Sequence, residues 1–109
     1  MEKMEYFWSG RSLRRKLFLL LLRLQPQSKW NRVYLYNKVT GRSCALGWAL
    51  RTTRYQFDID FGYGDKEVEH LNKWFNLEKD DLDTIVVLND SSQTKSIAYD
   101  RIKEYVETI

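Results

Sequence analysis

The sequence predicts one compact α+β domain over residues 1–109, mostly helical, with four to five helices and a short two-stranded β element. Three observations predict this fold class. Apolar residues recur at helical spacing in two long segments, residues 11–25 and 94–108. Residues 55–63 instead alternate apolar and polar side chains, as a half-buried strand does. A chain of 109 residues also has the length for a single hydrophobic core.

The first helix is predicted over residues 11–25, ends before Pro26 and is apolar on two sides. One leucine face is predicted to lie in the core: Leu13, Leu17, Leu20, Leu21 and Leu24. A second apolar strip lies on the opposite side among arginines: Phe18, Leu19 and Leu22. Burial of both strips inside the fold is one interpretation. Docking of one strip on a partner or a membrane surface is the alternative.

The middle of the chain is predicted to hold a short strand, a turn and a second helix. Residues 32–37 have strand composition, and residues 37–41 have turn composition. Helix signals return over residues 43–50. Gly47 lowers the stability of this helix by roughly 1 kcal/mol relative to alanine, which indicates close packing of another element.

The second half is predicted to be a strand followed by helices. The alternating strand over residues 55–63 leads into a helix over 66–75. Residues 77–88 combine helical spacing with strand composition, so a helix is favoured and a strand stays open. A turn over 89–92 precedes the last helix, at about 94–108.

The two halves of the chain carry opposite charge. Residues 1–54 have a net charge of +10, and residues 55–109 have a net charge of −7. This asymmetry points to electrostatic partners more than to catalysis. The four Trp, seven Tyr and five Phe exceed what one small core hides, so several are expected at the surface, where interfaces favour them.

The apolar and cysteine content predict the compartment. A single cysteine excludes an internal disulfide and favours a reducing environment. The apolar run over residues 17–22 is interrupted by Arg23 and is too short to span a membrane. We expect a cytoplasmic protein.

Cys44 is the one candidate nucleophile. It lies near a predicted helix N-terminus beside Arg42, and both features lower the pKa of a thiol. The single histidine, His70, lies within a predicted helix, and no oxyanion-hole motif accompanies it. A buried structural thiol is the favoured interpretation, so no catalytic residue is predicted.

No metal site and no cofactor are predicted. The acidic residues between positions 58 and 69 have Tyr63 where a calcium loop requires glycine. One cysteine and one histidine cannot form a zinc site, and no glycine loop for phosphate is present.

Two segments carry a family resemblance: residues 44–49 (Cys-Ala-Leu-Gly-Trp-Ala), and residues 88–91 (Leu-Asn-Asp-Ser) followed by the last helix. They resemble a family of small, functionally uncharacterised phage and bacterial proteins with a Cys-x-x-Gly helix start and an Asn-Asp turn before the last helix. Trp48 stands where that family has a small residue. The resemblance implies a phage or mobile-element setting, a compact, mostly helical fold, and no activity. It implies packing and turn roles for Cys44, Gly47, Asn89 and Asp90.

The sequence therefore predicts a non-enzymatic interaction protein, phage-encoded, that binds and inhibits a host complex for nucleic-acid handling or defence. Its partner would be a host protein or a protein–nucleic-acid complex. Aromatic residues surrounded by arginine are typical of binding hot spots. The predicted contact residues are Trp8, Arg11, Arg14, Arg15, Trp30, Arg32 and Tyr34. Two alternatives stay open: direct binding of DNA or RNA through the basic half, and a Cys44-dependent enzyme.

Overall fold

The structure, a computed structural model, describes residues 10–32, 35–37, 39–55 and 64–109, with side chains from residue 13 onward. Five α-helices lie in these described ranges. They are α1 (Gly10–Leu24), α2 (Ala45–Thr52), α3 (Asp65–Phe75), α4 (Lys79–Asp90) and α5 (Lys95–Thr108), with a 3-10 turn at Gln27–Lys29. All five helices contribute side chains to one hydrophobic core.

The predicted α+β class is wrong, because the described part of the chain is helical and contains no β-sheet. Extended pairing there is limited to two isolated bridges, Trp30 with Ser43 and Asn37 with Arg42. The predicted strand over 55–63 lies outside the described residues from position 56 on.

The described end of the other predicted strand packs against a helix. Leu35 is buried, and its carbonyl oxygen lies where a Cβ atom on Gly47 of α2 would be, 1.5 Å from that position. The backbone at Leu35 therefore faces a helix rather than a neighbouring strand. The close packing predicted at Gly47 is confirmed.

Helix α2 is the centre of the core. Leu46, Ala49 and Leu50 are fully buried, and α2 packs against α1, α3 and α4. An eight-residue helix has marginal stability alone, so these tertiary contacts maintain it.

The helices predicted in the second half are confirmed, including the one favoured over 77–88. Helix α4 continues through Asp90, so the turn begins at Ser91 rather than at residue 89. Thr94 caps α5 by accepting a hydrogen bond from the backbone N–H of Ile97 at 3.2 Å. The buried residues on these helices include Leu71, Phe75, Leu82, Ile85, Ala98, Ile102 and Val106.

The predicted orientation of α1 is wrong. Phe18 and Leu22, from the second apolar strip, are buried, and so is Arg15. Three members of the predicted core face are instead about half exposed or more: Leu13, Leu20 and Leu24. The other two members, Leu17 and Leu21, are partly buried against the core, so the predicted face is turned outward at three of its five leucines. None of the helices in the described ranges combines the length and apolar character needed to cross a membrane.

Candidate functional site

The largest apolar feature on the surface of α1 is a row of leucines, called here the outer face: Leu13, Leu17, Leu20 and Leu24. The side chains of Leu13, Leu20 and Leu24 are 49%, 51% and 64% exposed, and Leu17 is partly buried. At 3.6 residues per turn, this row lies roughly opposite the buried pair Phe18 and Leu22. A contiguous exposed apolar row on a helix is a typical mark of a binding surface.

Exposed cations border the outer face. Lys16 and Arg23 lie on one side of the leucine row, Arg14 lies on the other, and all three are exposed. Helix α1 contains no Asp or Glu. The surface therefore combines apolar contact area with positive charge, which suits an apolar partner surface surrounded by acidic groups.

Contacts on the inner side hold α1 in the fold. The rings of Phe18 and Phe75 lie 5.2 Å apart at 57°. The indole Nε1 of Trp48 donates a 2.7 Å hydrogen bond to the carbonyl oxygen of Leu21. Because α1 is fixed against two other helices, its outer face is a preformed platform, and binding needs little ordering of this helix.

Further contacts fix each end of α1. Near its N-terminus, Arg15 donates to the carbonyl oxygens of Asn76 (3.3 and 3.4 Å) and Ile109 (2.5 Å). Near its C-terminus, Lys95 Nζ donates to the carbonyl oxygen of Arg23 at 3.0 Å. The helix is therefore attached to the ends of α3 and α5 as well as to the core.

Two of the predicted contact residues serve the fold instead. Arg15 is buried in the bonds just described. Trp30 is only 5% exposed and donates its indole N–H to Asn89 Oδ1 at 2.8 Å, so its ring is not a surface anchor. A buried side chain with satisfied hydrogen bonds cannot form a rim contact with a partner.

The remaining predicted contact residues divide between the surface and the undescribed parts of the chain. Arg14 and Arg32 are exposed, and Arg14 borders the outer face. The backbone of Arg11 belongs to α1, and its side chain is outside the described set. Trp8 and Tyr34 lie outside the described residues.

Sequence reasoning missed the leucines as site residues. Helical spacing predicts that Leu13, Leu20 and Leu24 lie in the core, because leucine at that spacing usually indicates a buried face. One signal was available: the opposite strip contains Phe18, the largest apolar side chain in the segment. A small core gains most from burying an aromatic ring, so that strip competes well for the interior.

Asn89 is the central residue of a buried hydrogen-bond network near the start of α2. Its Oδ1 accepts from the indole of Trp30 and from the backbone N–H of Ala45 at 3.2 Å. Its Nδ2 donates to the carbonyl oxygen of Asn31 and to Asp90 Oδ1, both at 3.1 Å. Every polar atom of this amide has a partner, so Asn89 joins the end of α4 to α2 and to the segment before it.

Cys44 occupies the N-cap of α2 and is buried. Burial raises the pKa of its thiol from 9.0 to about 11, and the nearby Asp90 carboxylate adds to the increase. The thiol is therefore protonated at neutral pH, and a protonated thiol is a poor nucleophile.

The histidine that could activate this thiol lies at the other end of α2. His70 Nε2 is 2.7 Å from the hydroxyl oxygen of Thr53, the C-cap residue of α2. Helix α2 has eight residues, which places its ends about 12 Å apart. Cys44 and His70 therefore do not form a nucleophile–base pair.

No group of three or more potential metal-binding side chains occurs among the residues that the structure describes. Asp58 and Asp60, considered above for calcium, lie outside that set. Comparison of the chain with protein-family models, curated proteins and solved structures finds no match. The function is therefore inferred from the geometry of the outer face of α1.

Proposed function

We propose that this protein is a non-enzymatic interaction protein that binds a partner protein on the outer face of α1. The observation that carries this proposal is the exposure of 49–64% at Leu13, Leu20 and Leu24 on a helix otherwise fixed to the core. Burying such leucines against a partner gains on the order of 1 kcal/mol each, because about half of every side chain is still in water.

The charge beside the leucines defines the partner surface. Arg14, Lys16 and Arg23 border the row, and α1 contains no acidic residue. An acidic rim on the partner would steer association and fix its orientation, whereas a basic rim would be repelled. The partner is therefore a protein that presents apolar side chains among carboxylates.

The charge division and the resemblance to phage and bacterial proteins suggest the biological setting. We propose that the partner belongs to a host complex that handles nucleic acid or provides defence, and that binding inhibits it in the host cytoplasm. Nucleic-acid sites are basic, so the cationic outer face would bind an acidic surface of that complex away from such a site. No catalytic step enters the proposal, because the Cys44 thiol is buried and protonated.

Nucleic-acid binding is a second candidate function. Cations outside α1 favour it, because an exposed group of them occupies the segments on either side of the Trp30–Ser43 bridge: Lys29, Arg32 and Arg42. Base stacking is not available from Trp30, which is buried. This mode would therefore depend on phosphate contacts and weaken steeply with salt.

A capture experiment tests the first proposal against the second. The tagged full chain is used to capture partners from host lysate, with and without nuclease. The double variant Leu20→Gln, Leu24→Gln removes apolar contact area without changing charge, and glutamine maintains helix propensity. Val87→Gln is the matched control, because Val87 is 63% exposed on α4, a different helix.

Under the proposal, a specific protein survives nuclease and is lost with the double variant but not with Val87→Gln. Capture of that protein by the double variant at wild-type level would overturn the proposal. Recovery of nucleic acid that depends on salt and not on the leucines would establish the second function instead.

A further inference from the structure

The leucines of the outer face have the spacing of a coiled-coil seam. Leu13, Leu17, Leu20 and Leu24 are separated by four, three and four residues, which is the alternation of d and a positions in a heptad repeat. The buried residues Phe18 and Leu22 fall at b and f, on the far side of the helix. Leu17 is partly buried against the protein's own core, while Leu13, Leu20 and Leu24 are exposed. A surface with this spacing suits another helix, because each exposed leucine can enter a hole between four side chains of a facing helix.

The same register places the cations at the positions that control pairing. Lys16 and Arg23 fall at g, and Arg14 falls at e, directly beside the seam. These positions meet the e and g positions of a partner helix and set the choice of partner by charge. Three cations at such positions select a helix that carries acids there.

A second copy of this chain does not satisfy that requirement. In an antiparallel pair of α1 helices, g faces g, so Lys16 and Arg23 would meet the same cations of the other copy. In a parallel pair, each g residue faces the e residue five positions further along the other helix, so Lys16 would meet Leu21 and would find no acidic partner. The antiparallel pair places like charges together, and neither arrangement offers the cations an acid, because α1 contains none.

We propose that the occupant of the outer face is an amphipathic acidic helix of the partner protein, with apolar residues at a and d and Asp or Glu at e and g, paired with α1 as a two-helix seam. This inference rests on the proposed function and adds the structural class of the partner. The seam spans about two heptads, which is short for two free peptides. Here one helix is already folded and fixed to a core, so only the partner helix has to be ordered.

The experiment uses a synthetic peptide of about four heptads with Leu at a and d and Glu at e and g. Repulsion between its glutamates keeps the peptide from pairing with itself. A peptide with Lys at e and g is the charge control, and a scrambled Glu peptide of the same composition is the pattern control. Binding to the full-length protein is followed by fluorescence anisotropy of a labelled peptide, and helix formation by circular dichroism.

We expect the Glu peptide to bind and become helical, with affinity at least about tenfold higher than that of either control peptide. Leu20→Gln should weaken its binding about tenfold or more, and Val87→Gln should leave it unchanged. The double variant Arg14→Glu, Arg23→Glu should reverse the preference and favour the Lys peptide.

Equal binding of the Glu peptide and its scrambled control, or binding unaffected by Leu20→Gln, would overturn the inference. So would leucine-dependent self-association of the protein in sedimentation, or leucine-dependent binding to vesicles of anionic lipid. If the Glu peptide fails while capture of a lysate protein still depends on Leu20 and Leu24, the proposed function stands and the acidic helix is wrong. If both fail, the outer face is not a docking surface.

Discussion

Replacement of Arg15 by alanine tests whether this arginine stabilises the fold, while the exposed arginines of α1 are available for contact with a partner. The side chain is 8% exposed and donates to the carbonyl oxygens of Asn76 and Ile109. Hydrogen bonds from a charged donor contribute about 1.5–3 kcal/mol each. Both acceptor residues are partly exposed, so water replaces some of the lost bonding. We expect Arg15→Ala to lower the free energy of unfolding by about 2–4 kcal/mol, a large share of a small domain's stability.

Two further variants separate the charge of Arg15 from its geometry. Arg15→Lys preserves the charge, but one ammonium group cannot reproduce a guanidinium that reaches two carbonyls, so an intermediate loss of about 1–2 kcal/mol is expected. Arg14→Ala is the matched control, because Arg14 is the exposed neighbour on the same helix, and its loss should stay within about 0.5 kcal/mol.

The assay is urea unfolding followed by tryptophan fluorescence and by circular dichroism. The two signals should coincide if unfolding is two-state. Equal stability of the Arg14→Ala and Arg15→Ala variants, within about 0.5 kcal/mol, would refute the structural role of Arg15. A partner-binding test that replaces Arg11, Arg14 and Arg15 together would confuse unfolding with lost contact, so Arg15 must be left intact in such a test.

Three other predictions follow from the buried contacts near α2. Gly47→Ala should destabilise the fold by roughly 3 kcal/mol or more in urea unfolding, because the added Cβ would overlap the carbonyl of Leu35; a neutral effect would contradict that approach. Asn89→Asp should lower the free energy of unfolding by roughly 2–4 kcal/mol at pH 7, because the new carboxyl would be buried facing the Asn31 carbonyl, which raises its folded-state pKa. This loss should shrink as the pH falls towards 4, because the carboxyl becomes protonated. A loss that does not depend on pH would contradict this account. The stability that protonated Cys44 contributes should be complete below pH 9.0 and should be lost as the pH rises towards about 11. The difference in unfolding free energy between wild type and Cys44→Ala should therefore narrow by up to about 2–3 kcal/mol over that range. A constant difference would contradict a raised thiol pKa.

Helices α3 and α5 could be predicted because each has one dominant apolar face. In α5, Ala98, Ile102 and Val106 recur at four-residue intervals among polar residues, so the buried side is unambiguous. In α3, Leu71 and Phe75 repeat the same pattern. Local spacing is sufficient for these two helices, because most of their apolar residues share that face.

The orientation of α1 could not be predicted from its spacing, because leucines occupy both sides of the helix. The orientation depends on contacts distant in sequence, and Arg15 shows this most clearly: its acceptors Asn76 and Ile109 are 61 and 94 residues away. No periodicity within residues 10–24 contains that information.

The predicted strand over 32–37 failed for a related reason. Residues with high β-propensity are those that suit a half-buried, pleated surface, and Leu35 does occupy a buried position. The backbone carbonyl of Leu35, however, occupies the space beside Gly47 in α2 that a side chain would otherwise fill. The backbone at Leu35 therefore packs against a helix and not against a second strand.

The fold shows where the opposite charges of the two halves of the sequence lie. In the acidic half, two carboxylates have partners in the fold: Asp81 accepts from the Tyr105 hydroxyl at 2.8 Å, and Asp83 pairs with Lys79 on the surface of the same helix at 3.0 Å. On α1, the cations Arg14 and Arg23 instead stand at the surface beside an exposed leucine seam. Long-range charge attraction mainly raises the association rate, while burial of apolar side chains mainly slows dissociation. Because both lie on one rigid helix, the same surface would attract the proposed acidic helix and then retain it.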